Sequence, residues 1–162
     1  MIVTALNNVA HSLTDPPRKR KVLQQHREEA VTLKEWVEAY KGFSQEDIAL
    51  ERGKDNYGLP LGPSAKYRYV INPYDDNVMD MRHVVVVGYG MGETAGLGAE
   101  LIQKIAGFFG KDPTNSAFNL QDKYSNNIGA AFFSYDYRNY GIYMGYDFAR
   151  RFNNFLYKTY NR

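Results

Sequence analysis

Apolar residues recur at helical intervals from about Val22, and Val31, Leu33, Trp36, Val37, Tyr40 and Phe43 keep that spacing. Thr32 followed by Glu35 forms a capping-box pair, so a helix begins there. The hydroxyl can accept from a first-turn amide that has no partner inside the helix, while the carboxylate reaches back. Gly42 is a stop, and Ser44 to Asp47 opens a further short helix through Leu50. Residues 53–66 gather glycines, prolines and polar groups and read as a loop. Tyr67 to Ile71 alternates as a short strand, and Asn72-Pro73 breaks it.

Asp80 to Val87 ends in four consecutive valines. β-Branched residues favour a strand, yet a fully buried helix leaves the same run, and both assignments stay open. Glu93 to Phe109 reads as a helix with small residues on its surface, ended by Gly107, Gly110 and Pro113. Asn119 to Phe133 reads as another helix. Tyr135, Tyr137, Tyr140, Tyr143 and Tyr146 then stand in a glycine-containing tail before a helix from Asp147 to Tyr160. The pattern predicts a mainly α fold: one compact helical domain over residues 23–162, with a short β-hairpin or strand pair. Residues 1–22 form an N-terminal arm, closed by Asp15-Pro16-Pro17 and the basic run Arg18 to Lys21.

At 162 residues the chain is long enough to bury a core as one domain. A net charge of +2 gives nucleic acid little electrostatic hold, and the basic run is local. There is no cysteine, which excludes a thiol nucleophile and a Cys-based zinc site. No apolar run reaches membrane-spanning length. The opening Met1 to Leu6 lacks a basic n-region and a full apolar h-region, so export, if it occurs, uses a route other than Sec.

Val84 to Val87 followed by Gly88-Tyr-Gly90-Met-Gly92-Glu-Thr-Ala95 resembles a dinucleotide-binding turn. Glu93 would meet pyrophosphate at the helix start with like charge, and no second apolar strand ending in an acid follows. A structural turn is the expectation, with no dinucleotide bound.

Candidate chemistry gathers around this segment. If residues 80–87 are helical, Asp80 and His83 share a face; if they form a strand, Asp80 pairs with Arg82 instead. Glu93 and Glu100 are two helical turns apart, and Asp122 and Asn126 one turn. Three elements can thus aim His83, Glu100 and Asp122 at one point. His83 would serve as general base or metal ligand, Glu100 as partner carboxylate, Arg82 as a fixed cation and Asn126 as a group orienting substrate or water. One histidine with two carboxylates suits a divalent metal, held by His83, Glu100 and Asp122. Each group also has a plainer role: Asp80 as a cap, Arg82 as its neutraliser, His83 as a hydrogen-bonded core residue beside an apolar run, and Asn126-Asn127-x-Gly129 as a helix-terminating turn.

The order Asp80-x-Arg82-His83, then Gly-Glu with small residues, then Glu100, then Asp122-x-x-x-Asn126-Asn127-x-Gly129 resembles a helical domain at the ends of secreted bacterial polymorphic toxins. That family's pattern is Asp-x-x-Arg-His, a later Glu, and Asp-x-x-Asn-Asn-x-Gly. The match spans about residues 80–133. One residue is missing between Asp80 and Arg82 and one is added before Asn126, and each shift rotates a helical position by about 100°. The resemblance therefore carries Arg82, His83, Glu100, Asn126, Asn127 and Gly129 rather than Asp80 and Asp122. It implies an effector toxin, delivered into target cells and held in check by a cognate immunity or chaperone protein. Tyr74-Asp75-x-Asn77 with Arg82 is similar to part of the colicin M motif, with Asn72 and Met81 where its leading acid and histidine belong; this implies an envelope substrate.

The expectation is a secreted antibacterial effector with hydrolase activity on the cell envelope. The rival is a non-catalytic binding module or an immunity or inhibitor protein. It would use the tail's tyrosines with Phe132, Phe133, Phe148, Phe152 and Phe155 as an aromatic surface, although such residues serve equally as core.

Overall fold

A computed structural model describes residues 24–86, 120–140 and 147–161 of the chain. The fold is mainly α with a small sheet, as the apolar spacing predicts. The arm over 1–22, the glycine turn at 88–92, the helix read over 93–109 and Glu100 lie outside the described residues.

Strand β1 (Val31–Thr32) runs straight into helix α1 (Leu33–Ala39). Thr32 ends the strand and caps the helix: Glu35 N donates to Thr32 Oγ1 at 3.1 Å and Thr32 N donates to Glu35 Oε2 at 2.8 Å. Helix α2 (Gln45–Ala49) starts on a second capping box, between Ser44 and Asp47. Both starts agree with the sequence. The stretch before Val31 differs from the helix read there. It holds only a 3₁₀ turn, Arg27–Glu29, because His26 adopts left-handed backbone (φ 63°) and stacks its ring on Tyr69 at 4.0 Å. Phe43 also leaves the helical repeat, lying beyond the end of α1 and exposed.

Strands β2 (Tyr69–Ile71) and β3 (Val78–Asp80) pair antiparallel, with Tyr69 opposite Asp80 and Ile71 opposite Val78. β1 adds in parallel along β2, so the expected strand pair is a three-stranded sheet in the order β1-β2-β3. Residues 81–86 are helical (α3), beginning immediately after β3. Asp80 is the junction: it ends the strand, and its Oδ1 accepts from Arg82 N at 3.0 Å as an N-cap. Val84, Val85 and Val86, the described part of the valine run, are therefore buried helix.

Helix α4 (Leu120–Tyr140) continues past Phe133 and takes Tyr135, Tyr137 and Tyr140 out of the expected tail; α5 (Phe148–Tyr160) follows. Trp36, Met79, Met81, Val84, Ile128, Phe132, Phe148, Phe152 and Leu156 belong to one buried core that joins sheet and helices. Phe132 packs edge-on against Phe148, Phe152 and Phe155, with ring centroids 5.2–5.4 Å apart. Four of the five phenylalanines considered for an interaction surface are therefore core. No helix among the described residues is long and apolar enough to cross a membrane.

Candidate functional site

α4 is polar on a face that most helices would make apolar, and that face meets α3. Gly129 allows the approach: a Cβ there would stand 2.5 Å from the carbonyl oxygen of Val84. Gly129 is therefore a contact residue inside a helix, which removes the turn reading of Asn126-Asn127-Ile128-Gly129. Ser125, Asn126 and Asp122 lie one and two turns before it on the same side of α4. They meet the β3–α3 junction. Ser125 Oγ accepts from Asp80 N at 2.8 Å, and Asn126 Oδ1 lies 2.8 Å from His83 Nδ1.

With the amide oxygen facing it, Nδ1 carries hydrogen and donates to Asn126. The other ring nitrogen, Nε2, then faces two carboxylates: Asp122 Oδ1 at 3.3 Å and Asp80 Oδ2 at 3.9 Å. One oxygen from each acid and a nitrogen of His83 all lie within 4.8 Å of one another. Asp80 and His83 are buried, whereas the Asp122 side chain keeps 24% of its surface in water. Buried carboxylates need compensation, and Asp80 obtains it from Arg68, whose Nη2 donates to Oδ2 at 2.9 Å. Burial opposes the charge on Arg68, but the hydrogen bonds and charge of Asp80 outweigh it and raise the guanidinium pKa. Burial, followed by the charge of Asp80, pushes the neighbouring Tyr69 hydroxyl up to about 12.

The predicted residues thus separate. His83, Asp122 and Asn126 come together, joined by Asp80. Arg82 turns elsewhere: its guanidinium reaches Asp55 Oδ2 and the Pro60 carbonyl, each at 3.2 Å, in the loop before β2. Gly62, at φ +82°, gives that loop the room to pass, since a Cβ would sit 3.1 Å from Arg82 Cα. Burial and then the charge of Arg68 lower the pKa of Arg82. The fixed cation at the site is Arg68, a residue the sequence reading left inside a strand. Its signal was the Tyr69–Asp80 register, which no local pattern contains. Asn126 holds the imidazole through its Oδ1.

The residues shared with the colicin M motif do not form a common site here. Asp75 accepts from Tyr124 Oη at 2.5 Å and Tyr160 Oη at 2.8 Å, while Asn72 Nδ2 donates to Tyr124 Oη at 3.0 Å. Burial raises the pKa of Asp75 despite these bonds, and burial followed by the charge of Asp75 raises those of Tyr124 and Tyr160. Met81 is wholly buried in the core. Comparison with protein-family models, curated proteins and solved structures finds no match to this chain.

Proposed function

We propose that this domain is a hydrolase of the secreted antibacterial effector type, with His83 Nε2 at the centre of its chemistry. The observation that carries the reading is the fixed imidazole. Asn126 anchors one nitrogen at 2.8 Å, and the other faces the partly exposed Asp122. A water entering beside Asp122 meets Nε2 directly. The nitrogen can take its proton, or hold an ion that lowers the energy of the resulting hydroxide. Asp122 and Asp80 then stabilise the positive charge that develops, and Arg68 pairs with Asp80 without competing for Nε2.

The effector assignment rests on the likeness of residues 80–133 to polymorphic toxin domains; the envelope substrate has less behind it, because the residues shared with colicin M form no common site. Delivery outside the Sec route and a cognate immunity or chaperone protein belong to the same reading. A binding module built on the tail aromatics has less support, because Phe132, Phe148, Phe152 and Phe155 are buried. The test is His83→Ala, expressed in the periplasm and, separately, in the cytosol of susceptible bacteria. Loss of proton transfer or ion binding should cut activity by about 10²- to 10⁴-fold with the fold retained. A folded variant as toxic as the parent rejects the proposal.

A further inference from the structure

We infer that Asp80, His83 and Asp122 form a binding site for one divalent cation of the zinc–manganese type, with Asn126 as the residue that orients the histidine ligand. The inference rests on the hydrolase reading for its role, but its evidence is geometric.

With Nδ1–H committed to Asn126, a neutral His83 turns the Nε2 lone pair toward two carboxylate oxygens. Lone pair against anion is repulsive, so a positive species belongs between them. A proton is one choice. Charge-assisted N–H···O bonds close to about 2.7–2.9 Å, however, and Nε2 stands 3.3 Å from Asp122 and 3.9 Å from Asp80. Those separations suit two ligands sharing an ion instead. Metal–ligand bonds of about 2.0–2.2 Å place the ligands of a tetrahedral centre roughly 3.3–3.6 Å apart, and wider in other geometries. All three ligand atoms fall within 4.8 Å, so closure needs Asp122, the partly exposed member, to draw inward.

The surroundings agree. A ligating histidine commonly donates its other N–H to an oxygen, which fixes tautomer and orientation, and Asn126 Oδ1 is so placed. Three protein ligands leave a coordination position for water at the Asp122 edge, as hydrolytic centres require. One imidazole with two carboxylates fits zinc or manganese better than magnesium, which prefers oxygen and retains its waters. Arg68 acts in opposition: its guanidinium pairs with Asp80 and offsets part of the negative charge that the two acids can offer. The remainder still attracts a dication, with less affinity than an unpaired acid pair would give.

The experiment is calorimetric titration of Zn²⁺ and of Mn²⁺ into the chelator-treated full chain, with melting curves taken alongside. One ion should bind per chain and raise the melting temperature. Asp122→Asn should weaken binding at least about 10-fold, and Asn126→Leu by about 10- to 100-fold, the range for a group that orients a ligand. Asp122 is partly exposed, so its variant is expected to fold; the ion-free melt checks this. Absence of saturable binding by either ion at millimolar concentration, or unchanged affinity in a folded Asp122→Asn protein, overturns the site. If neither ion binds yet His83→Ala is inactive, the cation is excluded and the hydrolase reading stands on proton transfer. If ions bind as described and His83→Ala remains toxic, the cation site is supported and the hydrolase reading fails.

Discussion

Two aspartates hang from the β2–β3 hairpin, Asp80 buried and Asp75 half-buried, and both meet α4. Asp80 is surrounded by groups that carry or exchange charge: Arg68, His83 and, beyond the histidine, the partly exposed Asp122. Asp75 bonds neutral donors, with the hydroxyls of Tyr124 and Tyr160 on one oxygen and Asn77 N on the other. The first arrangement has a wet edge and a nitrogen aimed at anions. The second fastens the hairpin turn to two helices and, among the described residues, places no base or cation on the acid. The character of a carboxylate's partners therefore distinguishes site from scaffold in this protein.

The largest stability effect belongs to the cation of the first cluster. Arg68→Met leaves Asp80 buried with its charge uncompensated, a loss of about 3 kcal/mol by the behaviour of broken buried pairs. Urea denaturation measures it, and a loss below about 1 kcal/mol would mean that Asp80 does not depend on Arg68. Gly129→Ala follows. Its Cβ would collide with backbone at Val84, so α3 and α4 must separate, at about 1–3 kcal/mol and with the His83–Asn126 contact loosened. A stabilised Gly129→Ala protein, as expected at an unhindered helical glycine, would contradict the close approach.

The smallest effect concerns the second cluster and depends on pH. The folded-state pKa of Asp75 is raised above its ordinary 3.8, so the folded protein holds this proton more tightly than the unfolded chain. Its contribution to stability is complete below that ordinary value and is lost as pH rises through the folded value. Asp75→Asn, which keeps an oxygen for the tyrosines, should flatten the decline in stability from about pH 4 upward. A slope identical to the parent's would assign the decline to other groups.

Legibility in the sequence followed the range of the interactions. Thr32 with Glu35 and Ser44 with Asp47 are local pairs, and both helix starts stand where the pattern puts them. Helix α5 announces itself by one apolar stripe, Phe148, Phe152, Phe155 and Leu156. β1 has two residues and pairs with a strand almost forty positions later, so no window reveals it. The valine run could not choose between helix and strand, because the deciding bond is the Asp80 cap on Arg82 N. At the site, His83, Asp122 and Asn126 were legible as types at helical spacing. Arg68 was not, since it reaches Asp80 only through the hairpin register.

The central claim is that the cluster around His83 performs chemistry while the one around Asp75 holds the fold. The most direct measurement is a paired one, scoring His83→Ala and Asp75→Asn for growth inhibition and melting temperature in the same preparation. The account predicts that His83→Ala stays folded, with a melting temperature lowered by the loss of a buried side chain, and loses about 10²- to 10⁴-fold in potency, whereas Asp75→Asn changes the pH profile of melting and keeps its potency. A folded His83→Ala protein of full potency, or an inactive Asp75→Asn protein with an intact fold, would contradict it.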